Sequence, residues 1–65
     1  MGTTTTNVYA KDFKRGDRLA SGSTILGYLR LAKGGIAYMV ETPGGARREL
    51  VFDGRRKYAI VIETD

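Results

Sequence analysis

The chain has no cysteine, no histidine and no tryptophan, and a single proline. The lack of cysteine excludes a disulfide staple, a thiolate metal site and a thiol nucleophile. The lack of histidine removes the commonest general base. The two absences together remove the commonest transition-metal ligands. No apolar run approaches the roughly 18 residues that a membrane-spanning helix needs. The opening Met1-Gly2-Thr3-Thr4-Thr5-Thr6 has neither the basic nor the apolar region of a signal peptide. Gly2 and Thr6 do fit the loose myristoylation pattern, which is common by chance. The expectation is a soluble, cytoplasmic protein with no membrane partner.

The 65 residues make one domain, expected as residues 7–65 behind a flexible polar tail at 1–6. A chain this short buries only about 60% of its unfolded surface, so oligomerisation would help it. Eleven Lys and Arg stand against seven Asp and Glu, a net charge of +4 that mildly favours polyanions.

What is present is organised around one hairpin. Ile36-Ala37-Tyr38-Met39-Val40-Glu41-Thr42 and Arg47-Arg48-Glu49-Leu50-Val51-Phe52 flank the turn Pro43-Gly44-Gly45. Pro43 supplies the negative φ of a type I turn, and Gly45 the left-handed position. Thr42 then pairs with Ala46. Ile36, Tyr38 and Val40 face Phe52, Leu50 and Arg48, while Met39 faces Glu49 and Glu41 faces Arg47 on the other side. A one-residue slip would put Glu49 opposite Tyr38 on the core face, which rejects it.

Along the chain, Asn7-Val8-Tyr9-Ala10 reads as a short first strand. Asp12 is placed to cap the following turn, with Phe13 folded back on the core. Arg18-Leu19-Ala20 is a brief strand. Thr24 to Leu31 is the longest, roughly 26 Å, and Gly27 in its middle suggests a bulge. Gly34-Gly35 reads as a type I′ turn that sets Leu31 opposite Tyr38 and Leu29 opposite Val40. The core would hold Ile25, Leu29, Leu31, Ile36, Tyr38, Val40, Leu50 and Phe52. Lys57 to Glu63 closes the series with Tyr58, Ile60 and Ile62 inward. Helix is confined to a 3₁₀ turn at residues 11–15 or 53–56. The fold class is all-β, a small antiparallel barrel of five to six strands in a meander with tight Gly-rich turns. The succession of strand, long polar loop, three-strand meander, short link and closing strand resembles the SH3-like small barrels over residues 8 to 63. The phrase Asp12-Phe13-Lys14-Arg15-Gly16-Asp17-Arg18 is similar to the entry turn of many of them. The aromatic, acidic loop with which SH3 domains bind proline-rich peptides is replaced by a basic one. Such barrels host unrelated activities, so the resemblance implies a fold and not a function.

No catalytic constellation is visible. Ser21 and Ser23 have no histidine to activate them, and Asp12, Asp17, Glu41, Glu49 and Asp53 are scattered beside basic residues as solvated pairs or turn caps. Neither glycine pair opens a helix as a phosphate loop does. A non-enzyme is expected, with no cofactor, metal or small-molecule substrate.

Two surfaces remain. Lys11, Lys14, Arg15 and Arg18 lie in the first loop and Arg55, Arg56 and Lys57 in the last turn. In an SH3-like topology these loops approach one another, with Tyr9 or Tyr58 as stacking partners for DNA or RNA whose phosphates the cations hold. Without a recognition helix such binding has little sequence preference. The alternative is a protein-interaction, inhibitor or assembly module, such as a phage or bacterial accessory protein. It would use the outer face of the central sheet, where Tyr28, Arg30, Met39, Arg47 and Val51 form a surface for a protein partner or a homodimer.

Overall fold

The structure, a computed structural model, describes residues 2–64, the last by its backbone alone. It is all-β. Strands β1 (Gly2–Tyr9), β2 (Arg18–Leu19), β3 (Thr24–Ala32), β4 (Gly35–Glu41), β5 (Arg47–Asp53) and β6 (Lys57–Thr64) form one antiparallel sheet in the order β1-β6-β2-β3-β4-β5. The only helical turn among the described residues is a 3₁₀ turn at Ala10–Asp12, close to one of the two places expected. β1 and β5 are the two edges, so the sheet is not closed into the expected barrel.

The β4–β5 hairpin has the register the turn chemistry dictates. Ile36 pairs with Phe52, Tyr38 with Leu50, Val40 with Arg48 and Glu41 with Arg47. Thr42 N donates to Ala46 O at 2.7 Å, Gly45 N donates to Thr42 O at 2.8 Å, and Gly45 sits at φ +89°.

The β3–β4 register departs from expectation in two ways. The turn is Lys33-Gly34, closed by Ala32 opposite Gly35. Its only positive φ is at Gly34, which excludes type I′. Register shifts then fall between Ile25 and Gly27 and between Tyr28 and Arg30. Each adds one residue to β3; the shift nearer the turn brings Tyr28 opposite Tyr38, and the two together bring Ile25 opposite Val40. Gly27 stands beside the first, as its position suggests. Leu29 and Leu31 therefore do not face Val40 and Tyr38. Both are exposed, Leu31 by 74%, and Leu50 is exposed as well.

β1 also differs. The strand begins at Gly2 rather than Asn7 and pairs along its whole length with β6, from Gly2↔Thr64 to Tyr9↔Lys57. Residues 2–6, expected as a tail, are strand; Met1 lies outside the described residues. A run of β-branched threonines suits an extended backbone. Their side chains are exposed on both faces, because this ribbon runs past the core.

The core comprises Ala10, Phe13, Leu19, Ile25, Tyr38, Val40, Phe52 and Ile60, with Val8, Ile36 and Tyr58 packed against it. Phe13 is its centre, with ring centroids 5.3 Å from Tyr38, 5.1 Å from Phe52 and 6.0 Å from Tyr58. Edge-on aromatic pairs of this kind add about 0.5–1.5 kcal/mol each beyond area burial. Phe52 and Tyr58 lie 5.2 Å apart, so the rings join edge strand β5 to β6 where no strand pairing does. The chain returns to this cluster through the turn Lys14–Asp17, where Asp17 Oδ2 accepts from Lys14 N at 2.9 Å. Asp17, not Asp12, is the capping carboxylate.

Candidate nucleic-acid interface

The pairing of β1 with β6 decides where the basic residues go. It places Tyr9, the last residue of β1, opposite Lys57, the first of β6. Lys11 follows two residues later in the 3₁₀ turn. Lys57 Nζ lies 5.2 Å and Lys11 Nζ 5.8 Å from the Tyr9 ring centroid. The first basic loop and the last basic turn thus meet at one aromatic ring. That ring is 38% exposed. Ammonium groups at such distances are attracted to the negative face of the ring.

The remaining cations fall around this pair. Lys14 and Lys11 border a groove of about 610 Å³ floored by Val8, Phe13, Ile60 and Ile62, with Asp12 and Asp17 also on its wall. Arg15 is exposed beside it. Arg55 and Arg56 sit in the turn before Lys57, whose backbone is fixed by Asp53: Arg55 N donates to Asp53 Oδ1 at 2.8 Å. Arg18 belongs elsewhere. It pairs with Val61 across β2–β6, and its guanidinium donates to Glu63 Oε1 at 2.7 Å. Among the described residues no ion pair engages Lys11, Lys14, Arg15, Arg55, Arg56 or Lys57.

Of the two tyrosines offered for stacking, only Tyr9 is available. Tyr58 is packed on Phe13 and Phe52, and its hydroxyl accepts from Asp53 N at 2.8 Å. The convergence on Tyr9 joins residues 48 positions apart and follows from the pairing of Val8-Tyr9 with Lys57-Tyr58.

The second predicted surface is divided. Arg30, Met39, Arg47 and Val51 stand on the outer face, opposite Ala37, Glu49, Glu41 and Ala37 respectively. Tyr28 does not join them. The second bulge turns it to the core side, where its ring lies 6.0 Å from that of Tyr38 and is 58% exposed. On the outer face Arg30 bonds Glu49. That hydrogen bond, with the charge of Arg30, holds the Glu49 carboxyl below its ordinary range and raises Arg30 in turn.

Comparison with protein-family models, with curated proteins and with solved structures finds no match for this chain. Among the described residues no helix is long and apolar enough to cross a membrane.

Proposed function

We propose that this is a non-enzymatic, cytoplasmic nucleic-acid-binding protein that grips phosphates with its two basic loops and stacks an unpaired base on Tyr9. The observation that carries this reading is the exposed Tyr9 with the amines of Lys11 and Lys57 drawn close to its ring. A ring that stacks and flanking cations that hold the backbone are the two parts of a sequence-tolerant single-strand site. Lys14, Arg15, Arg55 and Arg56 extend the positive field on either side. Arg18 contributes least, since Glu63 offsets its charge. We further propose an SH3-like small barrel with an open seam. The β2-β3-β4-β5 meander and the Phe52–Tyr58 contact between β5 and β6 support it.

Fluorescence polarisation with short single- and double-stranded DNA and RNA across a salt series tests the reading. Binding to single strands should weaken linearly in log salt, by about 0.7 log units per decade for each phosphate contact. Lys11→Ala and Lys57→Ala should each lower that slope by roughly one contact for all sequences alike. Tyr9→Ala should weaken single-strand binding by about 1–3 kcal/mol and leave the slope nearly unchanged. Absence of binding at low salt, or a Lys11→Ala, Arg55→Ala, Lys57→Ala triple variant that binds as wild type does, overturns it.

The outer-face reading as a protein-interaction module is less supported. Arg30 and Glu49 satisfy one another there, and Tyr28 faces the other way.

A further inference from the structure

Strand β5 is an edge whose outward backbone groups and side chains are complementary to themselves. Thr42 N bonds Ala46 O and Gly54 N bonds Gly34 O at either end of the β4–β5 ladder. The alternation of antiparallel hydrogen bonding therefore turns Arg48, Leu50 and Phe52 toward β4, and the N–H and C=O groups of Arg47, Glu49 and Val51 outward. Asp53 ends this stretch, since its N–H donates to the Tyr58 hydroxyl and its carbonyl accepts from Arg56 N. An open edge of this kind is a template for another strand.

We propose that β5 pairs antiparallel with β5 of a second copy of this chain, with the two-fold axis at Leu50. Outward groups can only meet outward groups, so the axis must fall on a residue and not between two. An axis at Glu49 puts the two Glu49 carboxylates together. One at Val51 puts Glu49 against Asp53 twice, and one at Arg48 puts the two Arg48 side chains together. Like charges directly opposite are destabilising. An axis at Phe52 pairs Val51 only with Asp53, whose N–H and carbonyl are already engaged. The axis at Leu50 avoids all of these and keeps two rungs of open backbone groups. It sets Arg47 against the partner copy's Asp53 at both ends, and Glu49 against the partner copy's Val51 at both central rungs.

Charges on an edge strand ordinarily block pairing; here their order blocks the slipped registers and favours one. The Glu49 carboxylate is already paired to Arg30 within its own chain, which eases its place beside valine. On the core side the row Tyr28–Tyr38–Leu50 meets its own copy at Leu50. Tyr28 and Leu50, apolar surface that the monomer leaves open, then form one continuous stripe.

Val51 is 53% exposed, so its replacement tests the edge without touching the core. Sedimentation velocity on the full chain should show a concentration-dependent species of twice the 7.1 kDa chain mass. Val51→Glu places a carboxylate opposite Glu49 on both rungs and should weaken association about tenfold or more. Val51→Lys places a cation there and should associate at least as tightly as wild type. Circular dichroism of both variants confirms that each remains folded, and either variant alone keeps the sign of its charge as a test. A wild-type chain that stays monomeric to its solubility limit overturns the proposal. So does equal weakening by Glu and Lys, which would mark a plain apolar contact, or a dimer indifferent to both, which would place the contact on β1 or elsewhere.

Discussion

Tyr38 supplies a buried side-chain tie between the sheet and the first loop. Its hydroxyl donates to the carbonyl of Ala10 at 2.7 Å, and both residues are buried. Tyr38→Phe would keep the ring contacts with Phe13 and Phe52 and leave that carbonyl without its donor. The expected loss is about 1–3 kcal/mol, read as a lower urea midpoint at unchanged slope; a variant as stable as wild type would mean that water reaches Ala10. Burial, aided by Tyr28 and by the carboxylates of Asp12 and Asp17, raises the Tyr38 pKa above its ordinary value. The folded value therefore exceeds the unfolded one. The stability tied to the neutral hydroxyl is fully present below the unfolded pKa, about 10, and is lost as pH rises through the folded one. Tyr38→Phe should flatten that alkaline loss relative to wild type.

Among the elements, the β4–β5 hairpin was readable residue by residue and its neighbour was not. Pro43 and Gly45 determine the conformation of one turn, and the charges of Arg48 and Glu49 leave its register no alternative. In β3 the two extra residues carry no local pattern beyond Gly27, and each reverses the side to which later residues point. Alternation counted straight through β3 therefore puts Tyr28 on the outer face and Leu29 in the core, whereas Leu31 keeps the core-side face opposite Ile36 but lies beyond the core, beside the turn. The basic residues are legible as two clusters, since each cluster falls within one short stretch of the sequence. Their meeting at Tyr9 is not, because it follows from pairing opposite ends of the chain, and no short-range turn encodes that. Arg18 shows the same limit, drawn away by Glu63 across 45 residues. Gly35 stands where β5 leaves no room for a side chain on β4. A Cβ there would lie 2.0 Å from the Phe52 carbonyl oxygen, which as backbone cannot swing aside. Gly35→Ala should cost about 3 kcal/mol or more in thermal or urea unfolding, and an unchanged midpoint would show that the β4–β5 hairpin relaxes freely.

At the scale of the whole molecule, the 39 × 26 × 16 Å shape reflects a compact aromatic centre and a two-stranded ribbon that projects from it. A ribbon of two strands with no buried face is marginal in water. Amide hydrogen exchange should accordingly be fast over Thr3–Thr6 and at Ile62–Glu63 and slowest at Tyr38, Val40 and Ile60. Uniform protection along β1 would mean that something covers the ribbon. The position of β6 also sets an order of events during synthesis. It lies between β1 and β2, yet the ribosome makes it after every strand it joins. The β3–β4–β5 meander can assemble from neighbouring residues as it emerges, whereas β1 must wait with its backbone unpaired until more than forty residues have followed it. Between the synthesis of β1 and that of β6 the nascent chain thus carries an open, uncharged threonine strand. The sheet is then completed by the insertion of β6 between β1 and β2.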